Sequence, residues 1–241
     1  MLRRIYAHSV FATGVMSYLV WMLINNLDVS IITSQELSQE MIRIVIGAIF
    51  SYGFFSLTTT LLVFCVDRFS IIKRLIFRSS YIEGAWVGFY IVVNTREVFL
   101  TIEDVRQTIE EITINGQLYK LEKDDNSGYY GTWESNMESF DKRKKELSYT
   151  YDSMYIDHSR HKGLVTYKFN CYRGRTPTTF VGYDFDDDHN KETVIRCKRH
   201  KKNKGTSYNI KDTTGVLLIE AKDYYLENKH FYSVISQSKE K

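Results

Sequence analysis

The sequence predicts a membrane protein with an N-terminal two-helix transmembrane hairpin. An antiparallel all-β domain follows, most simply a small closed β-barrel of about eight strands. Three observations lead there. Two long uncharged runs fall within the first 66 residues, two-residue alternation begins near Ile82, and turn-forming residues recur between aromatic segments with no helical pattern among them. An open sandwich of two sheets is the alternative for the second part.

The first run, Ile5 to Ile24, contains no Asp, Glu, Lys or Arg and has His8 as its only basic side chain. Arg3 and Arg4 before it resemble the charged start of a secretory signal peptide. The run is long for that role, however, and Asn25-Asn26-Leu27-Asp28 makes a poor cleavage site. The second run, Ile44 to Val66, has no charge at all. As a helix it would be about 34 Å long, enough to cross a hydrocarbon core of about 30 Å. Arg3 and Arg4 precede the first run, and Arg68, Lys73, Arg74 and Arg78 follow the second. The loop from Asn25 to Met41 has acids and no Lys or Arg. The positive-inside rule then places both termini in the cytoplasm of a multi-pass inner-membrane protein. Gly47, Ala48 and Ser51 form a small face on the second helix, suited to close helix packing. The stretch Asp67 to Arg78 mixes cations with Phe69, Ile71, Leu75 and Ile76 and reads as a connector at the headgroups. These features divide the chain into 1–78, the hairpin and connector, and 79–241, a cytoplasmic domain.

In the second part, Ala85, Val87, Phe89 and Ile91 alternate with Gly84, Trp86, Gly88 and Tyr90, so the glycines and aromatics share one face. Such a face suits either a concave ligand spot or barrel curvature filled by rings. Asn115-Gly116 predicts a two-residue hairpin turn, and Asp125 to Gly128 a second turn. Further strands are expected near 96–104, 147–156, 163–173, 179–186 and 215–222. Across 163–173, Val165, Tyr167, Phe169 and Cys171 share the inward face.

The whole chain carries a net charge of +3, and most of that excess lies in the first 74 residues. A nearly neutral domain lacks the basic footprint of a duplex nucleic-acid binder. Cys65, Cys171 and Cys197 make no disulfide framework and fit a reducing compartment. No nucleophile elbow, phosphate loop or zincin helix occurs, so no enzyme activity, catalytic residue or cofactor is expected. His158 with His161, and Cys197 with His200, have ligand-like spacing but no second pair to converge with, so no metal is expected either. The run Asp184, Asp186, Asp187, Asp188 reads as a solvated loop, as do the basic clusters 142–145 and 196–204.

The segments YIEGAWVGFY, GTWESN and FVGYDFDD, in that order behind two adjacent membrane helices, carry a resemblance. The chain resembles the two-transmembrane, β-strand-rich effectors of CBASS, the bacterial cyclic-oligonucleotide anti-phage system. The resemblance implies a β-barrel that binds a cyclic oligonucleotide made by a cognate CD-NTase. It also implies homo-oligomerisation of the membrane helices, inner-membrane disruption and death of the infected cell. A cyclic di- or trinucleotide presents bases, which stack on aromatics, and phosphates, which pair with guanidinium groups. Trp86, Tyr90, Tyr149, Tyr151 and Tyr167 are therefore the candidate stacking residues, with Arg173 and Arg175 for the phosphates. A membrane-anchored barrel that binds a lipid or a protein partner, without nucleotide sensing, is the alternative, and a membrane-anchored enzyme whose site is assembled from dispersed residues is a further class that stays open.

Overall fold

The computed structural model describes residues 10, 11, 13–16, 18, 19, 22, 36–122, 127–171, 175–186, 192–200 and 210–229. The chain divides into two compact units, Met1–Lys73 and Arg74–Lys241.

The first unit contains helix α1, Glu36–Arg68. Its segment Val45–Arg68, 24 residues of mean hydropathy 1.8, is the one helix among the described residues long and apolar enough to cross a membrane. Ile49, Phe50, Tyr52, Leu57, Leu61 and Phe64 all stand exposed around it, so its apolar surface has no stripe turned to a core. Most of the first expected span, 5–24, lies outside the described residues, and those described within it are helical. The intervening loop lies outside them up to residue 35. A short helix α2, Ser70–Phe77, and a single 3-10 turn, Arg78–Ser80, lead into the second unit.

The second unit is built on eight strands: β1 Gly84–Val92, β2 Val98–Gln107, β3 Ile112–Leu121, β4 Ser127–Asp141, β5 Glu146–Tyr155, β6 Arg160–Asn170, β7 Thr179–Asp186 and β8 Glu192–Arg199. Each pairs antiparallel with the next, and β8 returns to β1, closing the barrel. Closure satisfies the edge groups of every strand and removes the template for pairing with other chains. The barrel alternative holds, and the sandwich does not.

Three elements differ from expectation. Asn115-Gly116 is no turn but the middle of β3, paired with Glu134 and Trp133 of β4. A Cβ on Gly116 would sit 2.1 Å from the Trp133 ring, so the glycine is the seat of that indole. Close approach, not a left-handed turn, explains the residue. The segment Arg196 to Arg199, read as the start of a basic loop, is the second half of β8: Ile195 and Cys197 point inward, while Arg196 and Lys198 point outward. The expected strand at 215–222 lies inside helix α3, Ile210–Asn228. Leu217, Ala221 and Tyr224 recur at helical spacing and pack on Val87, Phe89, Leu100 and Ile102. A short apolar run carries either period, and the helical one matches the outer wall of the barrel.

Helix α3 explains why β1 and the first half of β2 are buried on both faces. Their inward residues fill the barrel, and their outward ones lie under the helix. The outward cations of β8 hold it as well: Lys198 pairs with Glu220 at 3.4 Å, and Arg196 Nη1 donates to Asn228 Oδ1 at 3.1 Å. Leu217 is fully buried in this contact. Leu217→Ala should cost about 2–5 kcal/mol through lost burial and a residual cavity. Urea unfolding of the chain should show it; a change within about 0.5 kcal/mol, the usual range for surface substitutions, would mean that α3 is not docked.

Candidate ligand cavity

The interior of the barrel is aromatic from end to end but filled at one end only. At the filled end, Trp86, Phe169 and Phe180 pack with centroid separations of 5.1 to 5.6 Å. Tyr167 stacks on Phe180 at 4.0 Å. Arg199 seals this end. Its guanidinium lies 5.1 Å from both the Tyr81 and Trp86 rings, and Nη2 donates to the carbonyls of Tyr81 and Glu83 at 3.1 and 2.8 Å. Burial lowers the Arg199 pKa to about 10. Gln107 accepts from Ile82 N and donates to Ser80 O, both at 3.0 Å, which straps the incoming chain to the same end.

Above this floor lies a buried polar cluster. Glu103 is wholly buried, and its Oε1 accepts from the hydroxyls of Tyr90 and Tyr167, each at 2.9 Å, and from Cys197 Sγ at 3.7 Å. Its Oε2 has no hydrogen-bond partner among the described residues. Burial is the main cause that lifts the Glu103 carboxyl from near 4.5 to about 7, against the pull of the three donors. Burial likewise pushes up the hydroxyls of Tyr90, Tyr149 and Tyr167 and the Cys197 thiol, so none is a ready nucleophile near neutral pH.

At the opposite end the rings separate around a cavity of about 130 Å3. Tyr90, Trp133, Tyr149 and Tyr151 line its deeper part, and Phe99, Tyr130 and Tyr155 line the side toward the β1–β2 and β5–β6 turns. Trp133 stacks on Tyr149 at 5.6 Å with 12° between planes. The Trp133 Nε1 is buried without a hydrogen-bond partner among the described residues. Two carboxyl groups reach the cavity, those of Asp184 and Glu97. Tyr151 donates its hydroxyl to Asp184 Oδ2 at 3.1 Å, and Lys120 pairs with Glu97 at 2.6 Å. No Lys or Arg lines the cavity among the described residues.

Of the residues chosen from sequence, Tyr90, Tyr149 and Tyr151 meet at this cavity. Trp86 and Tyr167 belong to the packed floor instead. Arg175 is exposed in the connection between β6 and β7, at the end away from the cavity, and Arg173 lies outside the described residues. Trp133, Asp184 and His161 were not legible as site residues. The solvated loop expected over Asp184 to Asp188 fails at its first residue, because Asp184 is the inward residue of β7, with Tyr183 and Phe185 facing out. Continuing the alternation from Phe180 would have placed it inside. His161 lines the cavity beside Tyr155, with ring centroids 5.0 Å apart. No group of three or more His, Cys, Asp or Glu side chains able to hold a metal ion occurs among the described residues.

No protein-family model matches the chain, and no curated protein does. Among solved structures it is similar to a de novo designed fluorescence-activating β-barrel, at 13% identity and a TM-score of 0.34, over 51% of this chain and 96% of the design.

Glu103 makes stability depend on pH. A carboxyl raised in the folded state gives its full contribution below its unfolded pKa, near 4.5, and loses it as pH climbs to about 7. Stability should therefore fall by about 3 kcal/mol over that window and level off above it. Glu103→Gln should flatten the profile in urea titrations from pH 4 to 8, and parallel profiles for the two proteins would refute the assignment. The indole seat gives a second expectation. Gly116→Ala forces Trp133 to move and should cost about 1–3 kcal/mol by overpacking. Gly128→Ala, where a Cβ meets nothing within 4 Å, should melt near the wild type. Equal melting temperatures for the two variants would remove Trp133 from its place over Gly116.

Proposed function

We propose that this chain is a membrane-anchored sensor and effector of the CBASS type. In this reading the barrel cavity receives part of a cyclic oligonucleotide second messenger, and binding drives the membrane segments to assemble and disrupt the bacterial inner membrane. The observation that carries the reading is the cavity. It offers stacked ring faces, an unpartnered indole donor and carboxyl acceptors inside a closed barrel, the mixture that suits a nucleobase. The apolar helix α1 supports the membrane part, as does the order of the sequence segments that carry the family resemblance.

Both termini lie in the cytoplasm under this reading, where such a messenger is made. Charge favours that orientation: Arg43, next to the loop-side end of the second span, is outnumbered by Arg68, Lys73, Arg74 and Arg78 beyond the other end. A two-helix hairpin is too small to enclose an aqueous path, so disruption needs several copies. The small residues Gly47, Ala48 and Ser51 offer a seam for that contact.

The lack of lining cations favours a second reading, a barrel that holds an uncharged lipid. The cavity of about 130 Å3 and its two carboxyl groups suit a polar ring better than an acyl chain.

Thermal unfolding of the full-length chain in detergent tests the choice. Ligand at a hundred times its Kd stabilises the folded state by about 2.7 kcal/mol, so a cyclic di- or trinucleotide should raise the melting temperature in a concentration-dependent way. The same compound should release dye from vesicles carrying the protein. The reading fails if no cyclic nucleotide shifts melting at millimolar concentration.

A further inference from the structure

The cavity is unlike a phosphate site. A phosphate inside it would face the Asp184 and Glu97 carboxyl groups in a poorly screened interior, with no Lys or Arg lining among the described residues to balance it. Size restricts the occupant further. An engineered protein cavity of about 150 Å3 holds a benzene. The space of about 130 Å3 in this barrel is of that order, so it takes at most one base, with part of the ring toward the mouth, and excludes a whole cyclic dinucleotide. The sugar and phosphate portions must stay at the mouth.

The polar groups then describe the ring. Trp133 is 5% exposed, and its unpartnered Nε1–H calls for an acceptor. Asp184 is 9% exposed and already accepts the Tyr151 hydroxyl on Oδ2, but a carboxylate has about four lone-pair sites, so it can take further N–H donors. Glu97 is tied to Lys120 with its side chain 38% exposed, whereas Asp184 is buried in the cavity wall, which makes Asp184 the carboxyl placed to read a ligand edge. We propose that the cavity selects a guanine-type base. Asp184 accepts from the adjacent ring N–H and exocyclic amine, Trp133 Nε1 donates to a ring acceptor, and the Trp133–Tyr149 pair supplies the ring face. Adenine would set a ring nitrogen lone pair against the carboxylate, and uracil and cytosine lack two adjacent donors. Hypoxanthine differs from guanine only in lacking the exocyclic amine.

This inference rests on the proposed nucleotide-sensing function, and calorimetry on the full-length chain in detergent separates the two. The probes are cyclic di-GMP, cyclic di-IMP, cyclic di-AMP and guanosine, each with wild type, Asp184→Asn and Trp133→Phe. Loss of one charge-assisted hydrogen bond weakens binding by about 10- to 100-fold. Cyclic di-GMP should therefore bind the wild type at least about tenfold more tightly than cyclic di-IMP. Asp184→Asn should erase that ratio, and Trp133→Phe should weaken every guanine ligand. The wild-type ratio decides even if a variant fails to fold. Equal binding of all three cyclic dinucleotides overturns the base assignment and leaves the sensor function standing. A guanine preference that survives in Asp184→Asn overturns the role of Asp184. Guanosine binding that depends on Asp184, without binding of any cyclic dinucleotide, keeps the cavity assignment and removes the messenger. Binding of none of the four overturns the base assignment, and the melting test with the other cyclic di- and trinucleotides then decides the sensor function.

Discussion

The return of β8 to β1 is the constraint on which the rest of the second unit depends. Trp86 pairs with Arg199 on one side and with Glu103 on the other, so one closing register brings an indole, a guanidinium and a carboxyl into a single layer. Without closure, Glu103 and Arg199 would be exposed to water, and neither would have a shifted pKa. With it, both are desolvated, and each must find its partners inside the wall. Glu103 does so through two tyrosines and a thiol, Arg199 through carbonyls and ring faces. The unpartnered Oε2 of Glu103 and Nε of Arg199 show that the match is incomplete on both sides.

Closure also decides where the open space lies. An eight-stranded barrel is just wide enough for side chains to fill it. Phenylalanines and Trp86 fill the end where the chain enters. Toward the other end the lining shifts to tyrosines, and two of them are tethered to the wall through their hydroxyls. Tyr151 is held by Asp184, and Tyr90 by Glu103 and Tyr167. Inward glycines assist by letting a ring from the next strand lie across them. Trp133 rests over Gly116, and Tyr167 rests over Gly182, where a Cβ would meet it at 2.5 Å. The cavity is thus a consequence of how the aromatics are tethered.

One end of the barrel is strapped to the incoming chain, and the other opens to the cavity. Tyr90 links the two, because it lines the cavity and donates to Glu103, which pairs in register with Trp86 of the floor. A ligand that moves Tyr90 would act first on this cluster. In a core packed at native density such a displacement is passed on, because side chains have few voids to absorb it.

The sequence by itself determined the uncharged run that became α1, the antiparallel β character of the second part and most of its strand positions. It also placed Tyr167 on one face with Val165 and Phe169, and Tyr90 on one face with Trp86, since two-residue alternation is a local property of an extended chain. Only the tertiary structure decided which inward aromatics line space and which fill it, because that depends on distance from the closed end. The same holds for Asn115-Gly116, whose local preference for a turn yields to the room that the Trp133 ring needs on the neighbouring strand. It holds again for 215–222, where a short apolar run of either period became helix because the outer face of β1 and β2 was left to be covered. Asp184 is the sharpest case. Among its acidic neighbours it reads as solvent-exposed, and strand parity turns it into the cavity, where the Tyr151 hydroxyl meets it.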